Sequence, residues 1–148
     1  MKVKECMSLN VCYCTPNSTV KDATKMMNDN HVGCIPVCDD NKNIVGVLTD
    51  RDVTLRVVAC DKDANTTPVS DIMTCKVCTC TPETDINEAT KMMSDLQIRR
   101  IPVMKDNKIV GMLTLGDLAN HDNKVGAKEV CNTLENICDC SSKAKNAE

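Results

Sequence analysis

The chain has 148 residues, room for one ordinary domain or for two small units. Its 42% hydrophobic and 26% charged content excludes a disordered chain, and a net charge of −3 offers no basic face for nucleic acid or acidic lipid. No apolar run approaches the roughly 20 residues of a membrane span, and the opening "MKVKECMS" lacks the apolar core of a secretion signal, so the expected location is cytoplasmic, with no nucleic-acid and no membrane partner.

In chain order, a short strand is predicted over residues 11–14, ended by Thr15 and Pro16. A helix follows: Thr19 and Asp22 are spaced as in a capping box, and Val20, Ala23, Met26 and Met27 form its apolar face. Two strands, residues 34–38 and 44–48, flank a turn rich in Asp, Asn and Lys and read as a hairpin. The second strand, "IVGVLTDRD" over residues 44–52, stops in Thr49-x-x-Asp52, and a second helix begins near Asp52. Residues 60–68, "CDKDANTTP", form a polar linker.

The same grammar then returns. With Met7 laid on Met73 and Asn43 as a single extra residue, 24 of the 45 aligned positions of residues 7–52 are identical, so the chain is an internal duplication. Copy two has a strand at 77–80, a helix opened by Asp85 and Glu88 with Ile86, Ala89, Met92, Met93 and Leu96 on its apolar face, and strands at 100–104 and 109–113. Its last strand, "IVGMLTLGD", ends in Thr114-x-x-Asp117. A unit of about 60 residues buries little surface by itself, so the copies are expected to pack face to face around one shared core. The predicted organisation is repeat one at 3–59, linker 60–68, repeat two at 69–120 and a tail helix within 121–148. Ala127, Val130, Cys131, Leu134, Ile137 and Cys138 share one face of that helix, which packs on the body or on a second subunit. Residues 141–148 are expected to fray.

Twelve cysteines are present, with Tyr13 the single aromatic residue. A reducing compartment keeps thiols free, and free cysteine behaves as a small buried hydrophobe, so core filling is the expected role. The alternative is a metal or redox site on Cys75, Cys78 and Cys80, or on Cys138 and Cys140, because soft thiolates at such spacing bind zinc or iron–sulfur clusters. Cys12 and Cys14 repeat the C-x-C spacing where two residues apart means one face of a strand. No histidine completes a ligand set, and no metal ligand is assigned.

Thr49-x-x-Asp52 and Thr114-x-x-Asp117 admit two compatible readings. As caps, threonine accepts an exposed helix N–H and the acid complements the positive helix end. As ligand groups, a helix start offers N–H donors to an anion, and a carboxylate beside it can accept both hydroxyls of a ribose. Two packed copies related by a pseudo-twofold axis would leave two such clefts between them. Catalysis is not expected: the chain has no Ser/His/Asp set, no G-x-x-x-x-G-K loop, and only two histidines.

The pattern G-h-h-T-x-x-D, preceded by h-P-V, a polar turn and I-V-G, and occurring twice, resembles the cystathionine β-synthase (CBS) domain; two in tandem form a Bateman module. The resemblance implies an α/β (α+β) fold of two β-α-β-β-α repeats with pseudo-twofold symmetry. It also implies a homodimer and a regulatory ligand such as AMP, ADP, ATP or S-adenosylmethionine, with an effector protein as a further possible partner. Carried onto this sequence, Asp52 and Asp117 match the ribose-binding acid, Thr49 and Thr114 the hydroxyl beside the phosphate, and Thr15 and Thr81 a position lining base or phosphate. Val32, Cys34 and Pro36 in copy one, and Ile98 and Pro102 in copy two, match the strand edge whose backbone reads adenine. Arg99 and Arg100 match phosphate-meeting positions, and Arg51 is a further candidate; surface or dimer contacts are the other reading of Arg99 and Arg100. Copy one has Gly33 and Cys34 in place of the two arginines, so the sites are expected to differ in affinity. The alternative function is an interaction module, or a cysteine-based metal or redox sensor, that binds no nucleotide.

Overall fold

The computed structural model describes residues 1–139, apart from the side chain of Asp122. The chain divides into two compact units. One contains Asn10–Cys78 and Asp106–Ile109; the other contains Met1–Leu9, Thr79–Lys105 and the described chain from Val110 onward. The ten residues before Thr79, although they open the second sequence repeat, therefore belong with the first-repeat unit, and Met1–Leu9 with the second-repeat unit.

In the first-repeat unit, helix α1 (Val20–Asp29) is followed by strands β1 (Cys34–Cys38) and β2 (Ile44–Thr49) and the short helix α2 (Asp50–Val53). Thr19 caps α1, its Oγ1 accepting the Asp22 N–H at 3.1 Å. The next two orphan N–H groups, of Val20 and Lys21, donate to Thr67 O and Ala64 O, so the polar linker closes the start of this helix. Strands β1 and β2 pair antiparallel, Cys34 opposite Thr49 and Pro36 opposite Val47, with a bulge between Val37 and Cys38. Only Cys14 of the expected strand at 11–14 joins the sheet, as a single parallel bridge to Val37. That bridge on one side and β2 on the other explain why all of β1 is buried. Helix α2 runs on as one wide π turn, Thr54–Val58.

The second repeat follows the same plan in sequence with α3 (Ile86–Leu96), β3 (Arg100–Lys105), β4 (Lys108–Thr114) and α4 (Leu115–Asn120), then α5 (Asp122–Val125) and α6 (Ala127–Cys138). Its strand at 77–80 is likewise a single bridge, Cys80 to Val103. The hairpin closes on Asp106 and Asn107, both with positive φ (51° and 62°), as a two-residue twisted turn requires. The capping signal of α3 is shorter than expected: Asp85 accepts from Asn87 N–H, not from Glu88. Leu96, expected inward, is 49% exposed at the last turn, and Thr90 is buried on the face that packs.

Two corrections concern the core and the tail. The buried hydrophobics form two clusters, one around Ile35, Leu48 and Ile72 and one around Met93, Ile101 and Leu113, where a single shared core was expected. In α6 the inward residues are Thr133 and Ile137, with Val130 partly buried, while Ala127, Cys131, Leu134 and Cys138 are exposed. The apolar arc read from the sequence is wider than the face its own unit covers. Residues 141–148 and Cys140 lie outside the described residues. Of the cysteines, Cys6, Cys14, Cys34, Cys38 and Cys80 are buried, in line with a core-filling role. Burial pushes the Cys14 thiol up to about 11. No helix among the described residues is long and apolar enough to cross a membrane.

Candidate functional site

Each Thr-x-x-Asp is built where a buried strand hands over to a helix. Thr49 is the N-cap of α2: its Oγ1 accepts the Asp52 N–H at 3.0 Å, and Asp52 Oδ2 accepts the Thr49 N–H at 3.0 Å. Thr114 and Asp117 repeat this at α4, at 3.1 and 2.8 Å. Both are reciprocal capping boxes, which is the bland reading of the motif.

The glycine of each motif has a steric reason. A Cβ on Gly46 would lie 2.7 Å from Met73 Sδ and 3.0 Å from Thr74 O; on Gly111 it would lie 2.9 Å from Met7 Sδ and 3.0 Å from Ser8 O. The missing side chain lets a neighbouring segment bridge the strand, Thr74 to Val47 and Ser8 to Met112. That bridge delivers a hydroxyl to each acid. Thr74 Oγ1 lies 3.4 Å from both oxygens of Asp52, and Ser8 Oγ donates to Asp117 Oδ1 at 3.0 Å. Sequence reasoning missed both hydroxyls, although they are aligned with each other one residue after Met7 and Met73.

Beyond this the two niches diverge. Asp52 is 9% exposed and faces the guanidinium of Arg56, with Nη1 at 3.7 Å from Oδ1. The same Nη1 donates to Ile72 O at 2.8 Å and reaches Met73 O at 3.3 Å, which fixes it in place. At the position of Arg56, copy two has His121, whose Nδ1 meets Asp117 O at 2.8 Å. Among the described residues Asp117 has no ion pair; Thr114 Oγ1 donates to its Oδ2 at 2.7 Å, and the side chain stays partly exposed.

The other sequence-nominated residues scatter in burial. Cys34 and Pro36 are buried in β1, where Pro36 O accepts the Cys14 N–H, and Val32 just before the strand is exposed. Pro102 is buried in β3 with its carbonyl bonded to Cys80 N–H, and Ile98 is partly buried. Thr15 and Thr81 each accept or donate locally to Ser18 and Thr84 in matching turns. Arg51 is exposed, with its N–H on Asp50. Arg99 turns toward the tail helix, its Nη2 3.9 Å from Cys138 Sγ, while Arg100 opens β3 half-buried.

A family model for the CBS domain matches residues 3–59 and 69–124. The chain is 36% identical over 135 residues to the CBS domain-containing protein YhcV of Bacillus subtilis, covering 91% of this chain and 94% of that one. A CBS-domain protein of Thermoplasma acidophilum, TA0289, superimposes with a TM-score of 0.80 at 28% identity over 92% of this chain and 75% of its own. The CBS domain pair of protein MJ0100, solved with methylthioadenosine and S-adenosylmethionine, shares the fold at a TM-score of 0.74 and 23% identity, over 83% and 96% of the two chains. With both repeats matched and YhcV covered nearly end to end, the chain belongs to the CBS-domain family as a tandem pair.

Proposed function

We propose that this tandem CBS regulatory module senses an adenosine-containing ligand, AMP, ADP, ATP or S-adenosylmethionine, and that Asp117 is its principal ribose acceptor. The observation that carries the proposal is the contrast between the two acids. Asp117 is held by neutral donors and remains partly exposed, so it keeps acceptor capacity for a diol. Asp52 has the same cap but is 9% exposed and meets a fixed guanidinium. A ribose there must compete with Arg56 for the carboxylate. Arg100, on the strand leading into the Asp117 hairpin, is the phosphate-side candidate; copy one has Cys34 in its place. With Tyr13 the single aromatic residue, the adenine ring lies against aliphatic side chains and main-chain polar groups. The fold takes such ligands in MJ0100, which supports the ligand class. The module works as a cytoplasmic homodimer, without chemistry of its own, and passes ligand occupancy to an effector protein.

Ligand that binds only the folded state raises the melting temperature by mass action. A thermal-shift and calorimetric panel of AMP, ADP, ATP, S-adenosylmethionine and methylthioadenosine is therefore the test. A shift that Asp117→Ala removes, and that Asp52→Ala weakens less, is expected. No shift at millimolar ligand, or a shift that survives both substitutions, overturns the reading.

A further inference from the structure

The hydrogen bonds already made by Asp117 leave one acceptor place open where a diol needs two. An ionised carboxylate has about four such places, two on each oxygen. Oδ2 takes both the N–H and the hydroxyl of Thr114, at 2.8 and 2.7 Å, so its places are filled. Oδ1 takes only the Ser8 hydroxyl among the described residues, at 3.0 Å, so one place remains. Both hydroxyls of a ribose have a hydrogen to give, and the carboxylate by itself can accept one.

Ser8 carries the missing acceptor. A hydroxyl that donates its single hydrogen keeps lone pairs free to accept. Ser8 Oγ donates to Asp117 Oδ1, and no described group donates to it. The residue is exposed, and Asp117 is partly so. Ser8 is also anchored: its N–H donates to Met112 O and its carbonyl accepts the Met112 N–H, both at 2.9 Å. The missing side chain of Gly111 permits that approach, since a Cβ there would lie 3.0 Å from Ser8 O. Two acceptor oxygens 3.0 Å apart, one on Asp117 and one on Ser8, are set side by side as neighbouring hydroxyls on a sugar ring are.

Copy one does not offer this pair. Thr74 Oγ1 lies 3.4 Å from both oxygens of Asp52, and Arg56 Nη1 reaches the same hydroxyl at 3.5 Å. Its lone pairs therefore already face a donor, beside an acid that is 9% exposed.

We propose that Ser8 is the second half of the ribose site: one hydroxyl of the ligand donates to Asp117 Oδ1 and its neighbour donates to Ser8 Oγ. The site then selects ribonucleosides over both their 2′-deoxy and their 3′-deoxy forms, and Ser8 is a specificity-determining residue outside the threonine–aspartate motif. The inference rests on the adenosine reading of this site and names the sugar class that it takes.

Isothermal titration calorimetry of the full chain with AMP and ATP, each against its 2′-deoxy and 3′-deoxy form, tests it. The wild type should bind each deoxy form about three- to tenfold more weakly, the worth of one hydrogen bond. Ser8→Ala should abolish the penalty for one deoxy form and keep it for the other, because Asp117 Oδ1 still reads that hydroxyl. Ser8→Thr should keep both penalties, since threonine holds this place in copy one against the same glycine contact. Circular dichroism checks that the variants stay folded.

A Ser8 that only orients the carboxylate would, when replaced by alanine, weaken ribo and deoxy forms alike and leave both penalties in place. A Ser8 that only competes with the sugar would make Ser8→Ala bind AMP more tightly. Either result overturns the proposal, as does a wild type that binds the deoxy forms as well as AMP and ATP. A wild type that binds neither AMP nor ATP also overturns it. If S-adenosylmethionine and methylthioadenosine then give no thermal shift either, the adenosine reading falls as well, whereas nucleotide binding with unchanged penalties removes only the role of Ser8.

Discussion

Asp52 and Asp117 end the same strand, cap the same helix start and receive the same kind of hydroxyl, yet one residue further along their helices changes their chemistry. Arg56 spends its guanidinium on Asp52 and on the carbonyls of Ile72 and Met73, whereas His121 turns to the main-chain oxygen of Asp117. In the first niche the carboxylate faces a guanidinium. The second is a carboxylate with neutral partners and an open side. A duplicated motif therefore does not guarantee duplicated surroundings; residues outside the motif decide what each carboxylate faces.

The largest test of the comparison is on the tail helix, which only the second-repeat unit possesses. Ile137→Ala removes a buried anchor and should cost about 2–4 kcal/mol. In a urea titration that loss should fall on the second-repeat unit; an equal loss in both would break the asymmetry. Next come the glycines. Gly46→Ala and Gly111→Ala each press a methyl against a backbone carbonyl 3.0 Å away and should each destabilise by about 1–3 kcal/mol. Thermal unfolding of the pair sharpens the comparison, because matching losses confirm that the strand contact is the shared part of the two niches.

Smaller effects belong to the acids themselves. Asp52→Ala and Asp117→Ala each lose one capping box, about 1 kcal/mol in chemical denaturation. Arg56→Met should raise the ligand affinity of copy one in calorimetry, since it frees Asp52; unchanged affinity would mean that the guanidinium is not what separates the sites. The smallest effect is a pH slope. The Cys14 thiol stands at about 11 because it is buried, above its ordinary 9.0. Between these values the unfolded thiol ionises first, so the unfolded state holds fewer protons and stability falls as pH rises. Cys14→Val should flatten that decline in unfolding curves recorded on either side of pH 9.

Much of the fold was legible before any coordinates. Repetition, capping pairs and hydrophobic spacing located α1, α3, both hairpins and the threonine caps, because these depend on contacts within a few residues. The site was half legible. Asp52, Asp117 and their threonines carry a local signature, but Ser8 and Thr74 approach from more than 20 residues away in sequence, and nothing near the acids announces them. Arg99 and Arg100 are adjacent in sequence, but Arg99 lies at the tail helix beside Cys138 while Arg100 opens β3, a separation that depends on the distant chain of α6.

The sequence by itself determined that there are two copies, where each strand meets its helix, and that each ends in a capped carboxylate, since turn chemistry and the 3.6-residue period are written in adjacent residues. Only the tertiary structure decided that Met1–Leu9 and the segment before Thr79 serve the unit of the other repeat, that Arg56 occupies one acid and leaves no counterpart at the other, and that half of the apolar arc of α6 stays uncovered. Those outcomes depend on which distant surfaces meet, and burial of apolar area, which drives that meeting, is indifferent to distance along the chain.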